Sequence, residues 1–401
     1  MAADFAKLAK LYRDTLLNDV IPFWEKHSID WQAGGYLTCM DRRGNVFDTD
    51  KFMWMQCRQV WTFSMLYNEV EKKPQWLKIA KNGADFLARY GMDKGGNWYF
   101  SLDRYGRPLV VPYNIYSDCD ACIGFSQYAK ATGDEKMRQI ALKTFRNIMR
   151  RKDNPKGKWS KAASGARDLR ELGPAVTLII TTLDLQWMLD KKELNDTLDM
   201  CIGEVFDALD PKLNLLYEWT PRKGPRPDCF EGRIVLPGHA IEGMWYVMEA
   251  ARLRGDKKLI DKCVDIILSE IEFGWDKKFG GIFYFMDVKG NPPLQLEWDQ
   301  KLWWVHLETL VAFALGYLLT GRKEVWKWFE KVHDWTWSHF PDPEFGEWWA
   351  YLDRQGKVFI PLKGGKFKCC FHLPRALYKC WRIFTELAET KTTLTGRKTA
   401  K

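Results

Sequence analysis

The chain has six histidines, and three of them stand at the start of apolar, helix-spaced stretches. These are Leu236-Pro-Gly-His-Ala-Ile-Glu-Gly-Met-Trp245, Lys301-Leu-Trp-Trp-Val-His-Leu-Glu-Thr309 and Cys370-Phe-His-Leu-Pro-Arg375. His239 and Glu242 are three residues apart, so they share a face in the first turn of a helix. An imidazole beside a carboxylate can exchange a proton near neutral pH. One such histidine alone reads equally as a buried, hydrogen-bonded core group. Three at matching places in a repeat point to a common site. Histidines from different helices, with arginine and carboxylate between them, suit proton removal next to a carbonyl. One base takes the proton, an electropositive group holds the enolate, and a second acid returns it.

The elements that position these residues follow from a recurring punctuation mark. A short alternating aromatic strand followed by Asp-x-x-Gly appears at Gly34–Gly44, Gly95–Gly106 and Gly280–Gly290, and Gly346–Gly356 is a further copy. Each is hairpin chemistry. Weaker copies lie at Gly157–Lys161 and Asn214–Trp219. Measured from Gly35, Gly96, Gly157, Leu215, Gly281 and Gly346, the steps are 61, 61, 58, 66 and 65 residues, the length of two helices and their connections.

The segments before the marks (5–26, 74–90, 134–151, 192–209, 257–275 and 324–339) mix charge with an apolar stripe, as half-exposed helices do. Those after them (52–70, 118–132, 169–189, 237–254, 301–319 and 368–389) are apolar on nearly all faces, as buried helices are. Six inner and six outer helices predict an all-α (α/α)6 barrel with β-hairpins at the mouth of its cleft. No linker divides residues 1–390, which read as one domain, and polar residues 391–401 read as a disordered tail.

In such a toroid the inner helices begin at one mouth, and their partial positive ends favour developing negative charge. The polar residues expected there are Arg58 with Gln56, Asp118 with Asp120, and Arg170 with Glu171. His239 with Glu242, His306 with Glu308, and His372 with Arg375 complete the ring. Trp54, Trp61, Trp245, Trp303 and Trp304 border the region, with Tyr113 and Tyr116 ahead of the second inner helix. His27, His333 and His339 fall on the ends or solvent faces of outer helices and read as structural.

Composition narrows the class. No apolar run is read as membrane-spanning and no basic-then-apolar leader opens the chain, so a cytoplasmic protein is expected. Ten irregularly spaced cysteines do not form a secreted disulfide framework, and Cys119-Asp-Ala-Cys122 has no second pair to make a zinc site. The net charge of +9 is scattered, with no groove-reading motif, which fits an anionic ligand better than nucleic acid. The spacings HxxxH and HExxH are absent, so no metal is expected, and no Gly-x-Ser-x-Gly turn supports serine hydrolysis.

The strings Met55-Gln-Cys-Arg-Gln-Val-Trp61, Pro237–Trp245, Lys301–Glu308 and Phe371-His-Leu-Pro-Arg375 resemble the N-acylglucosamine 2-epimerase family, also called the renin-binding protein family. The likeness is to its bacterial members in particular and runs from the first helix to Glu389. It implies an (α/α)6 enzyme interconverting N-acetyl-D-glucosamine and N-acetyl-D-mannosamine, activated by ATP that is not consumed, and feeding sialic acid metabolism. The family's essential histidines fall on His239 and His372, its cleft arginine on Arg58, and its cleft carboxylates on Glu242 and Glu308. Glu308 is expected to join the catalytic set. Glu242, His306, Trp303, Arg375, Tyr113 and Asp118 are expected to bind substrate. Within Trp303-Trp-Val-His306, the histidine resembles the acylglucosamine branch better than the cellobiose 2-epimerases or mannose isomerases.

Lys152-Asp-Asn-Pro-Lys-Gly-Lys-Trp-Ser160 resembles the loop that the family associates with ATP, although it is not a Walker loop. Lys156, Gly157, Lys158 and Lys161 are the expected phosphate contacts; the other reading of the segment is a solvated basic turn. A homodimer is the expected assembly, with no membrane partner. Two other classes stay open. One is an (α/α)6 glycoside hydrolase using Glu242 and Glu308; the other is a non-catalytic module that sequesters a protein.

Overall fold

The Asp-x-x-Gly turns close as their residues dictate. Asp41 Oδ1 accepts the backbone N–H groups of Arg43 and Asn45 at 2.8 and 2.9 Å, and Gly44 takes φ +83°. Asp103 and Asp353 accept their own i+2 and i+4 amides in the same way. A side chain at Gly44 or Gly356 would overlap the ring of His27 or His339, which caps the hairpin from the end of an outer helix. Those two histidines are structural. The third, His333, does not face solvent. Its Nδ1 lies 2.9 Å from the Tyr12 hydroxyl, and burial pushes its pKa down to about 4.

The computed structural model describes residues 4–157, 160, 163 and 165–399, with side chains as far as Thr390. The helices are α1 (Phe5–Thr15), α2 (Ile21–His27), α3 (Met53–Glu69), α4 (Pro74–Tyr90), α5 (Tyr116–Thr132), α6 (Glu135–Arg151) and α7 (Leu172–Asp184). They continue with α8 (Lys191–Phe206), α9 (Phe230–Arg233), α10 (Pro237–Arg254), α11 (Lys257–Gly274), α12 (Trp303–Thr320), α13 (Lys323–His339) and α14 (His372–Thr399). A π-helical turn, Leu16–Val20, joins α1 to α2 ahead of Pro22, which has no N–H to continue the α ladder. Residues 391–399 continue the α14 backbone, and the rest of the expected tail lies outside the described residues.

The inner ring is α3, α5, α7, α10, α12 and α14, and the fold is the (α/α)6 barrel. Inner helices α5, α10 and α12 end on left-handed Gly133, Gly255 and Gly321, which turn the chain back into the outer layer. Asp134, Asp190 and Asp256 then cap the outer helices α6, α8 and α11 by accepting their first amides. Helix α12 has the length and mean hydropathy (1.2) to cross a membrane, contrary to the sequence reading. In the fold it is an inner helix, and 78% of it is buried within the protein.

Three inner helices start later than their periodicity suggests, two of them because a strand takes up the first residues. Leu169–Glu171 pairs with Trp219–Pro221, and Lys301–Leu302 with Tyr351–Leu352. Residues 368–371 are likewise non-helical ahead of α14. Lys51–Phe52 and Ile234–Val235 pair in the same antiparallel manner with the following hairpins, at Ser101–Leu102 and Met286–Asp287. Leu362–Gly364 pairs with Cys39–Asp41 of the first hairpin, which closes the ring.

A charge triad built on a buried lysine–aspartate pair reinforces three of these junctions. Lys51 and Arg104 meet Asp30 at 3.1 and 2.9 Å, Lys301 and Arg354 meet Asp276 at 3.3 and 2.9 Å, and Lys363 and Arg42 meet Asp342 at 2.9 and 2.8 Å. Each arginine comes from the next hairpin around the ring. The three lysine side chains are fully buried, so each depends on its aspartate.

Candidate active site

The starts of the inner helices and the hairpins above them enclose a cleft of about 680 Å³. Two imidazoles project into it, each backed by a carboxylate. In α10, His239 Nδ1 lies 3.1 Å from both oxygens of Glu218, which sits on the hairpin before the helix. In α14, His372 Nδ1 lies 2.7 Å from Glu308 Oε1, donated by α12. A carboxylate accepts, so Nδ1 carries the proton in each neutral ring and Nε2 is left as the basic atom. Trp304 contacts both, its ring centroid 5.3 Å from that of His239 and 5.9 Å from that of His372.

The two histidines have opposite proton affinities. Burial disfavours the His239 cation, but the charge and hydrogen bond of Glu218, helped by Glu242 and Glu171, outweigh it and raise the pKa above the ordinary value. Burial, followed by the guanidinium groups of Arg58 and Arg375, holds His372 well below the ordinary value. The surroundings thus favour the cation at His239 and the neutral base at His372.

Two arginines frame the pair. Arg58 Nε is 3.0 Å from both oxygens of Asp120, and its Nη1 is 3.4 Å from His372 Nε2. Its guanidinium lies over the rings of Trp54 and Phe371. Arg375 Nη2 is 2.7 Å from Glu242 Oε1 and 2.7 Å from Glu308 Oε1, and the Tyr246 hydroxyl donates to the same Glu242 oxygen at 2.6 Å. Glu242, Glu308 and His372 converge closely enough to suggest a metal site. The cation held between the two carboxylates is the Arg375 guanidinium, so the cluster already has its counter-charge. The same bridge works against a hydrolase, because both carboxylates face one guanidinium nitrogen rather than opposite sides of a scissile bond.

Arg58, Tyr113, His239, Glu242, Trp303, His372 and Arg375 line the cleft as expected. Others do not. His306 is fully buried on the outer side of α12, where its Nε2 accepts the Ile282 N–H at 3.0 Å and its ring stacks on Trp335. Burial pushes its pKa down to about 3, so it is a structural group and not a substrate contact. Asp118 points away from the cleft to Arg151 at 3.0 Å, and burial raises its pKa to about 7; Asp120, two residues on, is the acid of α5 that reaches the site. Glu308 is wholly buried behind His372, so it positions the imidazole and does not touch substrate.

Of the other residues expected at the mouth, Gln56 holds the backbone of Tyr36, Trp61 donates to Asp184 and Trp245 donates to Glu308. Arg170 turns to Asp207 on the outer layer. Lys156 and Gly157 are exposed ahead of α7, while Lys158 and Lys161 lie outside the described residues. Sequence reasoning assigned no role to Glu218, Tyr246 or Tyr284. Glu218 was visible only as the acid in the weak hairpin copy Asn214–Trp219.

A helical toroid whose mouth holds two carboxylate-backed imidazoles, walled by tryptophan and tyrosine, has the chemistry of a carbohydrate-converting enzyme. The family pattern described as N-acylglucosamine 2-epimerase (GlcNAc 2-epimerase) matches residues 35–376. N-acylglucosamine 2-epimerase of Mus musculus is 35% identical over 384 residues, covering 93% of this chain and 91% of its own. The Homo sapiens enzyme of the same name is 35% identical over 375 residues, covering 91% and 87%. The solved cellobiose 2-epimerase of Bacillus thermoamylovorans B4167 superposes with a TM-score of 0.80 at 22% identity, over 94% of this chain and 99% of that one, a likeness of fold. The chain belongs to the N-acylglucosamine 2-epimerase family.

Proposed function

We propose that the enzyme interconverts N-acetyl-D-glucosamine and N-acetyl-D-mannosamine by moving the C2 proton of the open-chain sugar between His372 and His239. The observation that carries this reading is the pair of imidazoles that share the cleft and the Trp304 ring, each with Nδ1 held by a carboxylate. In the open-chain aldehyde the C1 carbonyl acidifies the C2–H bond. The neutral His372 Nε2 takes that proton, the Arg58 guanidinium beside it stabilises charge on the C1 oxygen, and the His239 cation protonates the opposite face. The reverse reaction starts with the proton on His372. The pair carries one exchangeable proton before and after turnover and two while the enolate stands, and the indole of Trp304 gives the planar enolate a face to lie on.

The relatives' name, N-acylglucosamine 2-epimerase, favours an acylated amino sugar. The test is to supply N-acetyl-D-glucosamine, cellobiose and D-mannose separately and identify the products by NMR. N-acetyl-D-mannosamine from the first is the expected product. Epimerised disaccharide or D-fructose, without change in the amino sugar, would move the enzyme to another branch.

An accompanying proposal is ATP as an unconsumed activator at the 152–161 loop of a cytoplasmic homodimer that supplies sialic acid metabolism. Its support is the loop's resemblance and its position. Exposed Lys156 acts electrostatically on Glu171, whose strand pairs with Trp219 beside the histidine-holding Glu218. Of the loop's other cations, Lys152 is committed to Glu204 at 2.7 Å, so the described residues meet a polyphosphate only in part. Activation by a non-hydrolysable analogue, lost in Lys156→Ala, is the expected result.

A further inference from the structure

Helix α7 differs from the other inner helices in what it presents to the cleft. Each of the others contributes a charged group, an imidazole or an indole: Arg58, Asp120, His239, Trp304 and His372. From α7 come Gly173, Val176, Thr177, Ile180 and Thr181, a stripe at i, i+3, i+4, i+7 and i+8 with no charge. The Thr181 hydroxyl is turned back to the Thr177 carbonyl at 2.8 Å. Ile123 of α5 stands in the same cleft.

The level of this wall is fixed by His239. A Cβ built on Gly173 would lie 3.7 Å from His239 Cε1 and 2.6 Å from the Tyr116 hydroxyl, so Gly173 is beside the reacting imidazole. At a rise of about 1.5 Å per residue, Val176 and Thr177 lie roughly 5 Å deeper and Ile180 roughly 10 Å deeper along the helix. The substituent on C2 starts from the carbon the imidazoles address, so it must find room within one short group's length of them. The sugar hydroxyls favour the charged walls, while an acyl chain favours the wall without charge.

We infer that the uncharged face of α7 seats the C2 acylamino group, with Val176 and Thr177 against the amide and its first carbon and Ile180 limiting the length of the acyl chain. This rests on the acylamino-sugar reading above. Ile180 is only partly buried, at the edge of the core where it opens to the cleft, so the folding of each variant is measured alongside its activity.

The experiment measures kcat/KM for N-acetyl- and N-butanoyl-glucosamine in wild type, Ile180→Ala and Ile180→Trp, with circular dichroism to establish folding. Ile180→Ala is expected to raise the butanoyl-to-acetyl ratio about tenfold and Ile180→Trp to lower it about tenfold, the scale on which an apolar pocket discriminates methylenes. A ratio unchanged in both folded variants overturns this assignment while leaving the epimerase reading intact. Failure of the wild type to turn over either sugar overturns that reading, and this inference with it.

Discussion

His372 Nδ1 and Glu308 Oε1 lie 2.7 Å apart, and Arg375 Nη2, 3.4 Å from that Nδ1, holds the same oxygen at 2.7 Å. The carboxylate is thereby fixed, and it fixes the tautomer that leaves Nε2 basic. Glu308→Gln keeps the shape but removes the charge. We expect turnover to fall on the order of 10²–10⁴-fold, as when the orienting carboxylate of a catalytic histidine is neutralised. Retention of most of the turnover by the folded variant would make Glu308 a packing residue.

Proton affinity gives a second prediction. The acid limb of the kcat/KM profile marks protonation of His372, whose pKa is depressed, and the alkaline limb marks loss of the proton from His239, whose pKa is raised. The equilibrium between epimers does not depend on pH, so both directions share one bell. Glu218→Gln removes the charge that raises His239 and should move the alkaline limb to lower pH. Arg58→Gln removes a cation that depresses His372 and should move the acid limb to higher pH. Initial rates from pH 4 to 10 test both shifts, and limbs that stay in place would detach them from these histidines.

Arg58→Lys tests the fork. A lysine cannot meet both Asp120 oxygens and also reach toward His372 with planar geometry. Turnover should fall about 10²–10³-fold, the range for loss of a donor to a developing oxyanion, while substrate still binds. Near wild-type turnover would assign Arg58 to packing over Trp54 and Phe371.

His306→Gln should retain turnover, because the residue faces away from the cleft. Its effect lies in stability. The folded pKa of about 3 lies below the ordinary 6.5, so the unfolded chain binds a proton that the native state refuses. Native stability is full above pH 6.5 and declines as pH falls, by about 1.4 kcal/mol per pH unit for this group. Glutamine can accept from Ile282 and donate to Leu302 without titrating. Urea unfolding at pH 7.5, 6 and 5 should give a flatter pH dependence in the variant, and an unaltered slope would contradict this.

The fold was legible because binary pattern and turn chemistry act locally. An apolar run, a glycine and an Asp-x-x-Gly mark each belong to one stretch of chain. The direction of a side chain within a first turn was not, since it depends on the exact residue at which the helix starts. The three histidines that open inner segments hold different registers: third in α10, fourth in α12 and first in α14. The second of them points outward, held between the Leu302 carbonyl and the Ile282 N–H. Asp118 and Asp120 are about 200° apart around α5, so only one can face the cleft. Glu218 was obscured because its hairpin departs from the Asp-x-x-Gly pattern that marked the others.

The central claim, two imidazoles serving opposite faces of C2, is tested most directly by running the reaction in D2O and reading C2 by NMR. The wild type should place solvent deuterium at C2 of both epimers. His239→Asn and His372→Asn should each lose interconversion, with residual exchange confined to a single epimer. Interconversion without deuterium at C2, or sustained by either variant, would contradict the account.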